Sequence, residues 1–330
     1  MARPSAPIVV VPDDFPAVFT GTPAETRLRA LGREVRIFTE RGADREDELS
    51  RRIGDAECVV NIRAHAHFSE TVLDACPDLR LISVWGSGTD HVDLAACARR
   101  GITVATTHGV NAHAVAEHTM ALMMAVMRRI PQLDARVRAG EWPRGLSAQL
   151  EGKTLGLVGL GAIGSRVAAL ARAFDMKVLV TTAGADDGRC AALGARHASL
   201  ADLLAEADVV SLHLRLNDET RGIIGRAQLD SMKRTAYLVN TARGALVDRD
   251  ALLDALASER IAGAALDVFH EEPLPNDDPL RSLPNVVLTP HNAGVTPEVI
   301  AEGLRRAVEN VEQFLAAAPP DQRSGAKRPR

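Results

Sequence analysis

The sequence predicts an α/β protein made of two doubly wound parallel-sheet domains. Three observations carry the prediction. Short β-branched runs alternate with helical stretches along nearly the whole chain, the pattern of a parallel sheet covered on both faces. One long, almost wholly apolar stretch at 111–129 interrupts the rhythm and divides it into two series. The length, 330 residues, suggests two domains rather than one.

In the first series Ile8–Val11, Glu34–Phe38, Cys58–Asn61, Leu79–Val84 and Ile102–Ala105 read as strands. Thr22–Leu31, Asp44–Ile53, Glu70–Ala75 and Val92–Arg99 read as the helices between them. Asn111 can cap the long helix, which is expected to end near Arg128–Pro131 and, being apolar on every side, to be buried where two domains connect. The second series has strands at Thr154–Val158, Lys177–Thr181, Val209–His213, Ala236–Asn240, Ala262–Asp267 and Val286–Thr289. An amphipathic helix, Pro297–Ala317, follows. The tail from Pro319, with Pro, Arg and Lys but no apolar partner, is expected to be disordered.

Composition narrows the function classes. Hydrophobic residues make up 46% and charged residues 25%, so the chain can build a core, and only ten residues are aromatic, so that core is aliphatic. The formal net charge is −4, which argues against nucleic acid or an anionic membrane as partner. The longest apolar run, Met120 to Met127, is far short of the roughly 20 residues of a membrane span, and the first residues lack a secretory signal. The four Cys, at 58, 76, 97 and 190, have no CxxC spacing, so neither a metal site nor a disulfide framework is indicated. A soluble, reducing, cytoplasmic setting is the expectation.

The apolar strand at 154–158 runs into Gly159-Leu-Gly161-Ala162-Ile163-Gly164 and then into a helical stretch. A GxGxxG in that context reads as a dinucleotide-binding turn. The first Gly makes the turn, the second admits the pyrophosphate, and the third lets helix and strand pack closely. The acidic residue expected about 20 residues on, to bond the adenosine ribose, is missing. The next strand ends Thr181-Thr182, and the first acids after it are Asp186 and Asp187. Either a Thr hydroxyl bonds the ribose of NAD, or Arg189 or Arg215 pairs with the 2′-phosphate of NADP. The residues leave NAD and NADP both open.

Three later strands lead into reactive groups, and in a doubly wound sheet ligands sit at the carboxyl ends of the strands. They are Asn240-Thr-Ala-Arg243-Gly244, Asp267 followed by Glu271-Glu272-Pro273, and Thr289-Pro-His291-Asn-Ala293-Gly294. An Arg can clamp a carboxylate with its forked donors. A His can give a proton to a reduced carbonyl oxygen and take it back, and an acidic neighbour can orient its ring. Glu271 and Glu272 are equivalent on these grounds, and Asp267 could equally cap a turn.

Taken together these motifs resemble the D-isomer-specific 2-hydroxyacid dehydrogenases, a family that includes phosphoglycerate, glycerate/hydroxypyruvate and formate dehydrogenases. The resemblance runs from about Cys58 to Leu315. It implies a Rossmann cofactor domain, 106–294, and a flavodoxin-like substrate domain, 1–105 with 295–330. It implies Arg243 as the substrate-orienting arginine, His291 as acid/base, Glu272 as its partner, and Asp267 as the holder of the nicotinamide carboxamide. Gly159, Gly161, Ala162, Ile163, Gly164, Thr182, His213, Arg215, Thr241, Ala242, His291 and Ala293 would line the cofactor. Arg63, with the backbone of Ser87 and Gly88 and with Arg243 and His291, would meet the substrate. A homodimer through the cofactor domains is implied, and no metal. An enzyme that moves a hydride between NAD or NADP and a 2-keto or D-2-hydroxy acid follows, in a cleft closed by domain motion. The alternative is a nucleotide-sensing, corepressor-like protein without turnover.

Thr182 stands where the family usually has Asp, and Arg215 stands where it often has Pro. His113 and His118 imitate a zinc motif, but five residues turn about 140° around a helix, so they cannot share a ligand face, and packing or capping is expected of them. His65 and His67 lie in a loop where either could face substrate. Trp142 reads as a packing anchor, within the chain or across a dimer.

Overall fold

The computed structural model describes residues 8–31, 33–182 and 187–317; Asp186 and the tail from Pro319 lie outside them. The chain forms two compact units, divided at Asn111/Ala112 and again at Val295/Thr296.

The first unit carries β1 (Ile8–Val11), α1 (Pro23–Ala30), β2 (Glu34–Ile37), α2 (Glu46–Ile53), β3 (Cys58–Asn61), α3 (Glu70–Ala75), β4 (Leu81–Val84), α4 (Leu94–Arg100) and β5 (Thr103–Thr106). Its sheet is parallel in the order β2-β1-β3-β4-β5, the flavodoxin-like order. Alternate side chains of each strand point to opposite faces. Val10, Val59 and Ile82 therefore meet Leu49, Ile53, Val72 and Leu73 on one face. Val9, Val11, Val60 and Leu81 meet Leu28 on the other, beside Leu304, Ala307, Val308 and Val311. Helix starts follow the side chains: Thr22, Ser69 and Asp93 cap α1, α3 and α4 by accepting an N–H three residues on.

The second unit begins with α5 (Ala112–Arg128) and α6 (Ile130–Arg138). It continues with β6 (Thr154–Val158), α7 (Ala162–Ala173), β7 (Lys177–Thr181), α8 (Asp187–Ala192), β8 (Arg196–His197), α9 (Leu200–Glu206) and β9 (Val209–Leu212). Then come α10 (Arg226–Ser231), β10 (Tyr237–Asn240), α11 (Arg249–Ala257), β11 (Gly263–Leu266) and β12 (Val286–Leu288). Seven parallel strands run in the order β12-β11-β10-β9-β6-β7-β8. The order reverses between β6 and β9, the Rossmann switch point at which such sheets bind ligands. Leu157, Val180, Val209, Val239 and Ala265 pack under Met120, Met123 and Met127 of α5, as its apolar composition requires.

Two elements differ from the sequence reading. The long helix ends at Arg128 as expected, but a separate helix, α6, follows at once, with Pro131 in its first turn, where a missing N–H costs nothing. The two-residue strand β8 was not expected. The last helix, α12 (Pro297–Ala317), belongs to the first unit. Its Gly303 is a socket for Trp85, since a Cβ there would lie 1.9 Å from the indole nitrogen.

Candidate active site

Because every strand of the second sheet is parallel, the carboxyl ends of β6, β9, β10, β11 and β12 form one row. The row starts at the glycine turn. Gly159 adopts φ +106°, which favours glycine, and its N–H bonds the Thr181 carbonyl at 2.8 Å, so the end of β7 lies beside it. The His213 backbone crosses on the other side, 2.7 Å from where a Gly159 Cβ would stand. A Cβ on Gly164 would lie 2.3 Å from the Gly159 carbonyl oxygen, whereas one on Gly161 would meet nothing within 4 Å. Gly161 precedes α7 without a side-chain cap, and the N–H groups of Ala162 and Ile163 take no acceptor among the described residues. An open concavity lined by such donors fits a pyrophosphate. Arg189 reaches back over this turn, giving hydrogen bonds to the Leu160 carbonyl (2.6 Å) and Ser165 Oγ (3.4 Å). Thr182 is half-buried and Arg215 exposed. Burial pushes the His213 imidazole down to about 4, and its Nε2 pairs with Ser211 Oγ at 2.9 Å.

After β10 the chain is bent by Asn240, whose amide donates to the Arg243 carbonyl and whose Oδ1 accepts the Ala242 N–H. Arg243 is half-buried, and its Nη1 donates to the Ala242 carbonyl at 2.8 Å. Gly244 presses on the next loop, where a Cβ would stand 2.2 Å from the Phe269 carbonyl carbon. That loop holds Glu272, whose Oε1 accepts the Phe269 N–H at 2.9 Å. Its Oε2 lies 2.6 Å from Nδ1 of His291. Glu272, not Glu271, is thus the acid that meets the histidine. His291 is left-handed at φ 53°, a conformation that costs a non-glycine residue about 1 kcal/mol or more. Its N–H is held by the Asp267 carbonyl at 2.7 Å. The strands that bear Arg243 and His291 are two spacings apart, about 10 Å, within joint reach of two long side chains.

Asp267 is fully buried between them. Burial alone would raise its carboxyl, but the His118 imidazole beside it and hydrogen bonds from Thr289 and the N–H groups of Ala293 and Asn292 outweigh that and hold it below the usual carboxylate range. Thr289 Oγ1 stands at 2.6 Å from Oδ1, Asn292 N at 3.1 Å from Oδ1, and Ala293 N at 2.9 Å from Oδ2. Asp267 is therefore first of all the anchor of the His291 loop. Two neighbours on α5 brace the site: Thr119 Oγ1 bonds Thr241 Oγ1 at 2.9 Å, and His118 Nε2 bonds Thr289 Oγ1 at 3.1 Å. His118 is thus more than the packing residue its sequence position suggests, while His113 is exposed.

Residues 120–293 match the family profile described as D-isomer specific 2-hydroxyacid dehydrogenase, NAD binding domain. The chain belongs to the D-isomer-specific 2-hydroxyacid dehydrogenase family. It is 44% identical to a glyoxylate reductase of Aeropyrum pernix over 76% of this chain and 77% of that one. It is 37% identical to a D-3-phosphoglycerate dehydrogenase of Mycobacterium tuberculosis, spanning 94% of this chain but 57% of that longer one. A D-lactate dehydrogenase of Aquifex aeolicus, solved with NAD and lactic acid, superposes with TM-score 0.83 at 30% identity, covering 94% and 95% of the two chains. The protein is an NAD(P)-dependent D-2-hydroxyacid dehydrogenase.

In this dehydrogenase the first unit places the remaining sequence candidates at strand ends of its own sheet. Arg63 follows β3; it donates to the Pro16 carbonyl, and its Nε is buried without an acceptor. Burial lowers its guanidinium below the ordinary value, against the pull of Asp14 and Asp13. His65 Nε2 pairs with buried Asp13 at 3.2 Å, and His67 is exposed. Ser87 and Gly88 follow β4, and their N–H groups take no acceptor among the described residues. No three His, Cys, Asp or Glu side chains gather as a metal site, and no helix is long and apolar enough to cross a membrane, among the described residues. The sequence points to Arg189 as a candidate phosphate partner but does not show its bonds to Leu160 and Ser165, nor the bracing by His118. Only the three-dimensional register brings those partners together.

Proposed function

We propose that the enzyme reduces a short 2-keto acid to its D-2-hydroxy acid with NADPH, with Arg243, Glu272 and His291 as the catalytic set. The contact between Nδ1 of His291 and Oε2 of Glu272, in the same row of strand ends as Arg243 and the glycine turn, carries this reading. When bound, the nicotinamide supplies or accepts the hydride. With its Nδ1–H donated to the carboxylate, His291 presents Nε2 to the substrate oxygen. In reduction Nε2 gives its proton as the carbonyl becomes a hydroxyl, and in oxidation it takes that proton back. Arg243 holds the substrate carboxylate and the carbonyl oxygen by its fork of donors. Arg63 and the N–H groups of Ser87 and Gly88 are the first unit's own candidates for binding a carboxylate.

The pyrophosphate sits on Gly159, Gly161, Ala162, Ile163 and Gly164, and His213, Thr241, Ala242 and Ala293 line the rest of the cofactor. Oδ2 of Asp267, which accepts the Ala293 N–H, keeps a lone pair for the carboxamide. NADP is preferred over NAD. Thr182 brings no negative charge to the end of β7, and Arg189, already at the turn, can pair with a 2′-phosphate, with Arg215 as a second cation. Glyoxylate is the substrate that the relative of Aeropyrum pernix suggests. Exposed apolar residues of the second unit (Ile130, Leu133 and Val137 of α6, then Trp142 at 75% and Leu146) support a homodimer through the cofactor domain. Four free, buried Cys support a cytoplasmic setting.

The test is NADPH and NADH oxidation with glyoxylate, hydroxypyruvate and pyruvate. Turnover is expected to be best with NADPH. His291→Ala should lose about 10²–10⁴ in kcat with cofactor binding intact. Arg189→Ala should cost NADPH affinity and leave NADH unchanged. Wild-type turnover in His291→Ala would remove the acid/base assignment. A higher kcat/KM with NADH, indifferent to Arg189, would remove the cofactor preference.

A further inference from the structure

His118 is a titratable side chain for which the proposed chemistry has no use, yet its surroundings give it a task. Its Nε2 lies 3.1 Å from Thr289 Oγ1, which lies 2.6 Å from Asp267 Oδ1. A threonine hydroxyl has one proton. The short contact with the carboxylate claims it, so Thr289 accepts at its other contact and Nε2 of His118 bears the hydrogen. Nε2 stands 3.6 Å from Oδ1 itself, beyond hydrogen-bond range. Asp267 then holds three consecutive amides: its carbonyl takes the N–H of His291, and its carboxylate takes those of Asn292 and Ala293.

We propose that His118 is a positioning residue that acts through Thr289 and Asp267. By donating to Thr289 it fixes the hydroxyl proton on Asp267, and the completed carboxylate shell holds loop 291–293, and with it the left-handed His291, in place. α5 is a firm footing for such a strut, being 17 residues long and packed along the sheet. The adjacent Thr119 donates to the Val115 carbonyl at 2.7 Å and so accepts from Thr241, which ties the Arg243 loop to the same helix turn. A second proton donor to substrate is a poorer reading of His118, because its Nε2–H is already committed. The kinetic consequence rests on His291 being the acid/base; the effect on the loop does not.

The experiment compares His118→Leu, which fills the space without a donor, with His118→Gln, which keeps an N–H at about the same reach. Thr289→Val, Thr289→Ser and the double variant His118→Leu/Thr289→Val complete the set. Amide hydrogen exchange is followed in the whole, cofactor-free protein. The amides of Asn292 and Ala293 should exchange about tenfold faster in His118→Leu, the scale of one net hydrogen bond. They should return to within about twofold of wild type in His118→Gln and Thr289→Ser. The double variant should be no faster than Thr289→Val alone. In parallel, kcat should fall about three- to tenfold in His118→Leu and recover in His118→Gln. Unchanged exchange in His118→Leu would overturn the proposal, and so would unchanged kcat in that variant when His291→Ala has lost turnover. So would a Gln variant no better than Leu, or effects that multiply in the double variant. His291→Ala separates the two readings: if it keeps wild-type turnover, the acid/base role fails while the exchange result still decides the strut.

Discussion

Replacing Gly244 by Ala isolates the link between the two loops that carry Arg243 and Glu272. The new Cβ would stand 2.2 Å from the Phe269 carbonyl carbon, 2.3 Å from its oxygen and 2.7 Å from the His270 nitrogen. Ordinary contact begins near 3.4 Å, so the two backbones must part by about 1 Å. Both neighbours are main chain and cannot swing aside as a flexible side chain would. Overpacking of this kind costs about 1–3 kcal/mol of stability, which a domain survives. The catalytic cost is larger, because a misplacement of about 1 Å can lose about 10²-fold in rate. Glu272 would move with its loop, and its 2.6 Å contact with His291 would open. Steady-state kinetics with a 2-keto acid should therefore show kcat/KM lower by about 10²-fold. Fluorescence titration should show a much smaller loss of cofactor affinity, because the glycine turn lies two strands away. A variant that stays folded with kcat/KM within about threefold of wild type would refute the claim that this contact sets the site.

The glycine turn offers a paired contrast. Gly161→Ala meets no protein atom, so thermal stability should hold while cofactor Kd rises at least tenfold by titration; Gly164→Ala collides with the Gly159 carbonyl, so melting temperature and binding should fall together. Trp142→Ala and Leu133→Glu should shift the protein from dimer to monomer in sedimentation, and a wild type that is already monomeric removes the proposed interface. His213 gives a pH signature. Its folded pKa of about 4 lies below its unfolded value near 6.5, so the unfolded chain binds more protons between them. Its contribution is complete above about pH 6.5 and is lost as pH falls toward 4, by about 3 kcal/mol at most. His213→Gln should flatten that part of the melting curve against pH, and an unaltered slope would contradict it.

Wherever hydrophobic periodicity or a backbone requirement is local, the sequence already displays the structure. The glycine turn, the six main strands of the second sheet and the last helix lie where alternation and caps put them, because a buried strand has few ways to read. The same holds for Arg243 and His291, since a polar group directly after a buried parallel strand must emerge at the ligand end. What stayed hidden is non-local or too short. Two residues of β8 cannot show a period, and Pro131 reads as a stop although it also suits a helix start. The choice of Glu272 over Glu271 depends on the turn of one loop. His118 meets Thr289 across 171 residues of sequence, and Arg189 finds the Leu160 carbonyl only because α8 lies against the turn after β6. Trp142, read as an anchor within the chain or across a dimer, is three-quarters exposed, so it anchors no packing among the described residues.

The first unit is stitched from both extremities of the chain, and that has a price in time during synthesis. Leu304, Ala307, Val308 and Val311 help seal one face of its sheet, and Gly303 receives Trp85, yet all five residues are translated about 200 residues after β5. At about 5–20 residues per second, that face waits about 10–40 s with Leu28 of α1 in place but Val60 and Leu81 without their cover from α12. Newborn chains should therefore bind holdase chaperones until α12 has left the ribosome, and a stop codon placed before Ile300 should yield an insoluble first unit beside a second unit whose own core is already complete.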